Sequence, residues 1–82
     1  MSDTHTLKTS IPGIFYRRPS PSEPVYVEVG QEVATGDIVG LVEIMKSFHS
    51  VPSDLAGTVV RFLVEDGAEV SPGQDIVELA RS

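Results

Sequence analysis

The residues whose types and spacing suggest chemistry are few, and they centre on one lysine. Lys46 lies in the run Glu43-Ile44-Met45-Lys46-Ser47, and the only other lysine in the 82-residue chain is Lys8. Two similar segments flank this run. Gly30-Gln31-Glu32-Val33-Ala34-Thr35-Gly36 and Gly67-Ala68-Glu69-Val70-Ser71-Pro72-Gly73 share the pattern G-x-E-V-x-x-G at an offset of 37 residues. Asp-Ile-Val follows each, with Gln74 as one inserted residue in the second copy. A lysine singled out between two repeats is a candidate attachment point for a carried group. The bland alternative is a surface lysine on an ordinary loop.

Other chemistry is poorly provided for. The chain has no cysteine, which excludes disulfides and a thiolate metal site. No nucleophile–base pair, metal cluster or phosphate loop stands out. His49 is a lone histidine on an expected strand and reads as structural; His5 lies near the N-terminus and is uninformative. Glu32 and Glu69 occupy equivalent repeat positions and read as turn-flanking residues rather than an acid/base pair. The net charge of −6, with 12 acidic and 6 basic residues, argues against a nucleic-acid footprint. No apolar run reaches membrane-spanning length, and the N-terminus lacks an apolar signal region. The simplest expectation is a soluble, cytoplasmic protein that touches neither nucleic acid nor membrane.

The elements that would position Lys46 are strands. At 82 residues and 40% hydrophobic there is room for one small domain with a complete core. Residues 1–8 are expected to be a flexible leader and 9–82 the domain. Thr9 to Tyr16, interrupted by Pro12-Gly13, suggests an edge strand. Val25 to Val29 alternates and suggests another. A turn is expected over Val33 to Gly36, and a strand buried on much of both faces over Ile38 to Met45. Further strands are expected over Phe48–Val51, Gly57–Glu65 and Asp75–Ala80, with a tight turn at Asp66-Gly67. No segment sustains a helical period. The fold class is therefore all-β: a flattened β-barrel or sandwich of two antiparallel sheets related by a pseudo-two-fold axis. Gly30, Gly36, Gly67 and Gly73 would supply the turn angles.

Two segments break the pattern. Arg18-Pro19-Ser20-Pro21-Ser22-Glu23-Pro24 has three prolines in six residues, so it cannot be a helix or a central strand. It should project as a semi-rigid loop. Arg17 and Arg18 either flank it or meet an acidic partner surface. The stretch from Val39 to Val51 must fold back on itself, yet after Gly40 it contains no Gly, Pro, Asn or Asp. Two-residue hairpins favour Asn-Gly because both central residues take positive φ. If Met45 and Lys46 take those positions they do so at a local cost, as functional sites often do. The gain would be a lysine presented in solvent at a rigid tip.

At these residues the sequence resembles the biotin carboxyl carrier family, within the wider biotinyl/lipoyl domains of barrel-sandwich hybrid fold. That family's attachment site reads E-A-M-K-M. Here Glu43, Met45 and Lys46 are kept, while Ile44 and Ser47 differ. Phe15-Tyr16-Arg17-x-Pro19-Ser20-Pro21 followed by Glu28-Val29-Gly30-Gln31 is similar to the carriers of multisubunit acetyl-CoA carboxylase, the enzyme of fatty acid biosynthesis. In those carriers an insertion forms a thumb over the attached biotin, and Arg18 to Pro24 matches it, with Arg18 where Thr is usual. The resemblance implies a non-catalytic carrier with covalent biotin on Lys46. A biotin ligase would attach it. The carrier would then shuttle carboxybiotin from a biotin carboxylase to a carboxyltransferase. It also implies supporting roles for Lys46's neighbours Glu43, Ile44, Met45 and Ser47: Glu43 in steering the ligase, Met45 beside the aliphatic stem of the modified lysine. Lipoyl domains share the fold but read E-T-D-K-A, so Met45 favours biotin. A lipoyl carrier and an unmodified interaction module are the alternatives.

Overall fold

The computed structural model describes residues 3–81. Eight strands follow one another: β1 Thr4–Lys8, β2 Gly13–Tyr16, β3 Glu32–Val33, β4 Ile38–Ile44, β5 Ser47–Pro52, β6 Gly57–Phe62, β7 Glu69–Val70 and β8 Asp75–Arg81. They form two four-stranded sheets with orders β1-β8-β6-β3 and β5-β4-β2-β7, every pairing antiparallel. The expected all-β class and the two related sheets are observed.

The pseudo-two-fold can be read from the register. Ile14 pairs with Glu43 and Glu69 as Thr58 pairs with Ala80 and Glu32. The β1–β2 unit therefore maps onto β5–β6 at an offset of 44 residues, and β3–β4 onto β7–β8 at an offset of 37. The corners repeat in detail. Thr9 and Ser53 are equivalent and both buried. Each hydroxyl donates to the carbonyl two residues on, at 2.9 and 2.6 Å. Their N–H groups donate to the carbonyls of Gln74 and Asp37, at 3.1 and 2.8 Å. Buried hydroxyls bonded in this way close both corners without unsatisfied polar groups.

The two offsets differ by seven residues, the length of the segment Arg18–Pro24. That segment is an addition to one half of an otherwise matched pair. Gln74, in contrast, is not an inserted residue. Its Oε1 accepts the Ser71 N–H at 2.9 Å, as Asp37 Oδ2 accepts the Ala34 N–H at 2.9 Å. Gln74 thus stands in the place of Asp37, and the slip in the Asp-Ile-Val match lies after the turn.

The core lies between the sheets. Phe15, Val39, Val42, Val59, Val70, Ile76, Val77 and Leu79 are almost fully enclosed. Gly40 is required by packing, because a Cβ there would sit 2.5 Å from the Phe15 ring. Gly30, Gly36, Gly67 and Gly73 all have φ between 84° and 94°, as their turn positions require.

Four expectations need correction. Thr4–Lys8 of the expected leader is a strand, paired with β8, with Leu7 buried in the core; Met1 and Ser2 lie outside the described residues. Threonines and a lysine on the exposed positions disguise it as a polar tail. Thr9–Tyr16 is no edge strand: only Gly13–Tyr16 is a strand, and it lies between β4 and β7. Val25–Val29 forms no strand despite its alternation. It buries Val27 and is tied by the Tyr26 N–H to the Arg17 carbonyl at 2.9 Å. Finally, Val33 belongs to β3, so the expected turn over 33–36 is narrower, at Thr35-Gly36.

Candidate functional site

The β4–β5 hairpin carries the site. Its ladder runs through Leu41–Ser50, Val42–His49 and Glu43–Phe48 to the closing pair Ile44–Ser47. Met45 and Lys46 remain as a two-residue turn, with φ of 48° and 70°. They are the only non-glycine residues with positive φ among those described. The strained turn expected from the sequence is therefore present. Both residues are exposed, Met45 at 92%.

The hairpin is stiff below the tip because β4 is held on both sides, by β5 and β2, and its inward residues Val39 and Val42 are core. Its outer face is different. Alternation puts Leu41 and Glu43 on that face, with Tyr16 and Ile14 beside them on β2 and Phe48 across from Glu43 on β5. The Tyr16 hydroxyl donates to Glu43 Oε1 at 3.1 Å. Accepting that bond, the Glu43 carboxylate holds the Tyr16 phenol above its ordinary pKa; burial and the charges of Glu43 and Asp66 act in the same direction.

The seven-residue addition folds over this face. Glu23 N–H donates to the Ser20 carbonyl at 3.0 Å, and the Ser20 and Ser22 hydroxyls are 3.3 Å apart. Arg17 fixes its base. The Arg17 N–H donates to Asp66 Oδ1 at 2.7 Å, and its carbonyl accepts the returning Tyr26 N–H. Its guanidinium lies 4.1 Å from the centre of the Phe62 ring and reaches the Val27 carbonyl at 3.4 Å. Between this arch and the sheet lies a groove of about 540 Å³. Tyr16, Glu43 and Phe48 line it from the sheet, Arg18, Pro19, Ser20 and Pro21 from the arch, and Asp66 completes the lining.

The structure thus brings Glu43 together with Arg18 to Pro21. Ser22, Glu23 and Pro24 are exposed and do not line the groove, nor do Ile44, Met45, Lys46 and Ser47 at the tip itself. Sequence reasoning missed Tyr16, Phe48 and Asp66. Strand alternation was the available signal for the first, since Phe15 faces the core and Tyr16 beside it must face away; Phe48 joins that face through its pairing with Glu43. Glu32 and Glu69 are on different sheets. His49 is exposed and makes no side-chain hydrogen bond among the described residues, whereas His5 Nε2 meets Asp54 Oδ2 at 3.0 Å. No metal-ligating cluster is present among the described residues.

Residues 5–79 match the family described as biotin-requiring enzyme. The chain is 43% identical over 70 residues to the biotin carboxyl carrier protein of acetyl-CoA carboxylase 1, chloroplastic, of Arabidopsis thaliana, covering 85% of this chain and 25% of that protein. It is 38% identical over 73 residues to the biotin carboxyl carrier protein of acetyl-CoA carboxylase of Haemophilus influenzae, covering 89% of this chain and 47% of that protein. Among solved structures, a single-chain, multi-domain long-chain acyl-CoA carboxylase matches with a TM-score of 0.80 at 22% identity, covering 96% of this chain and 7% of that one. This chain spans between a quarter and about half the length of these two curated relatives.

Proposed function

The chain belongs to the biotin-requiring enzyme family, and from that premise we propose that it is a biotin carboxyl carrier, with biotin amide-linked to Lys46. The observation that carries the reading is the turn: a lysine at positive φ, exposed at the end of a braced hairpin, beside a groove. The domain performs no catalysis itself. Biotin supplies the nitrogen on which a carboxyl group travels, and the carrier brings it in turn to a biotin carboxylase and a carboxyltransferase. By likeness to the named relatives, the assembly is of acetyl-CoA carboxylase type.

The residues present fit the group. A fused-ring ureido cofactor needs apolar walls with hydrogen-bonding groups at a few points. Phe48, Pro19 and Pro21 offer the first, and Tyr16, Ser20 and Arg18 the second. The groove begins at the Glu43–Phe48 rung, one below the closing pair of the hairpin, so it is near the root of the arm. Residues 18–24 act as the thumb over it. Met45 flanks the lysine stem. A biotin ligase, which must take the proton from the lysine amine, attaches the cofactor. Tethering then makes delivery nearly intramolecular, with effective concentrations of order mM.

Intact mass after incubation with biotin, ATP and a biotin ligase tests the reading. The expected result is one biotinyl addition to the wild type and none to Lys46→Ala, which stays folded because the side chain is exposed. Lack of addition to the wild type would overturn it, and addition by a lipoyl ligase instead would establish the other carrier class.

A further inference from the structure

The charges along the groove are not equivalent. Its two acids are each engaged: Glu43 Oε1 accepts the Tyr16 hydroxyl at 3.1 Å, and Asp66 Oδ1 accepts the Arg17 N–H at 2.7 Å. Arg18 is the one cation among the lining residues. Among the described residues its guanidinium makes a single hydrogen bond, from Nη1 to the Glu23 carbonyl at 3.4 Å, at the long limit for one. It takes part in none of the ion pairs among the described residues. A guanidinium carries five N–H donors in a planar fork, so most of this fork is uncommitted. Arg18 is half-buried, and its charge is only partly screened by water.

A neutral guest has no need of a fork. A carboxylate matches it, accepting two parallel charge-assisted hydrogen bonds. Glu43 and Asp66 repel an anion in the groove and leave a neutral guest unaffected. Arg18 is the group placed to offset them. We propose that Arg18 reads the cargo: its guanidinium receives the carboxylate of the loaded arm in this groove, while the unloaded arm lies there without it. The proposal rests on the carrier reading.

One consequence is a longer-lived load. Loss of CO2 breaks the C–N bond, leaves its electron pair on nitrogen, and takes a proton from water. Donors on the carboxylate hold charge where that step must remove it. An ion pair exposed to this degree corresponds to about two- to fivefold in lifetime.

The test uses the chain as it stands, with Arg18→Gln and Arg18→Lys beside the wild type. Intact mass first establishes biotinyl addition in all three; its absence from the wild type would overturn the carrier reading and this proposal together. The biotinylated proteins are then loaded from labelled bicarbonate by a biotin carboxylase with ATP and freed of enzyme, and the label is followed. Arg18→Gln should lose label about two- to fivefold faster than wild type, and Arg18→Lys at an intermediate rate. The difference should shrink as salt rises. Equal lifetimes in wild type and Arg18→Gln would overturn the proposal while leaving the carrier reading intact. If Arg18→Gln resists loading, the Arg18 side-chain N–H resonance of the wild type decides: a shift on loading supports the contact, and an unchanged signal overturns it.

Discussion

Lys46 is distinguished by its backbone rather than by its side chain. Residues with φ of 48° and 70° in a two-residue turn occupy positions that suit Asn and Gly. Met45→Asn should therefore stabilise the domain by about 0.5–1 kcal/mol, since strained backbone positions cost of order 1 kcal/mol or more. In a domain of this size that is an increase in Tm of roughly 2–8 °C, measurable by calorimetry. A drop in Tm would show that the Met45 side chain contributes packing that its 92% exposure does not suggest. Tyr16 gives a pH prediction. Its folded pKa lies above the ordinary value of 10.0, because Glu43 accepts a hydrogen bond from its hydroxyl. The neutral phenol is thus favoured in the folded state. Its contribution is fully present below about pH 10 and is lost as pH rises through the folded value. Tyr16→Phe should flatten that alkaline limb in a plot of Tm against pH; an unchanged limb would remove Tyr16 as its source. Lys46 and Glu43 were legible in the sequence because each belongs to a contiguous motif. Tyr16, Phe48 and Asp66 were not, because they lie on three separated segments: alternation could turn Tyr16 outward but could not show that β2, β4 and β5 pair to set it beside Phe48.

At the scale of elements, β4 was legible and β1 was not, for one reason. A strand buried on much of both faces announces itself by an almost continuous apolar run, as Ile38–Ile44 does with Glu43 its one charged residue. A strand with Thr4 and Lys8 exposed, His5 and Thr6 half-buried and only Leu7 in the core reads as a polar tail. Val25–Val29 errs in the other direction. Val27 alone of its three valines is buried, anchoring the returning segment without pairing in either sheet, so alternation is present with no ladder behind it. The β2–β4 contact depends on Gly40, where the Phe15 ring occupies the space a side chain would need. Gly40→Ala should destabilise the domain by about 1–3 kcal/mol, as overpacking typically does. Denaturant unfolding with an unchanged m-value would measure it. A neutral result would mean that Phe15 shifts without loss.

The molecule as a whole is a matched pair of halves with one addition. Because Arg18–Pro24 accounts for the difference between the two offsets, the scaffold should close without it. Deleting residues 18–24 is expected to leave cooperative unfolding, with Tm within about 10 °C of wild type, while removing the roof of the groove. Loss of cooperative folding would show that the thumb is part of the scaffold. The same pseudo-two-fold relates the Met45-Lys46 turn to the place where β1 and β8 end side by side. There Ile44 and Ser47 are matched by Arg81 and Asp3, and the Arg81 N–H donates to the Asp3 carbonyl at 3.0 Å. Replacing Met1, Ser2 and Ser82 by a two-residue linker from Arg81 to Asp3 would complete a second hairpin tip. The domain is in this sense open to circular permutation: the new tip closed with Met-Lys and the chain cut elsewhere, in an exposed turn, would give a two-headed scaffold. Lys46 lies at one of two equivalent ends, and among the described residues the groove under Arg18–Pro21 lies beside that end alone.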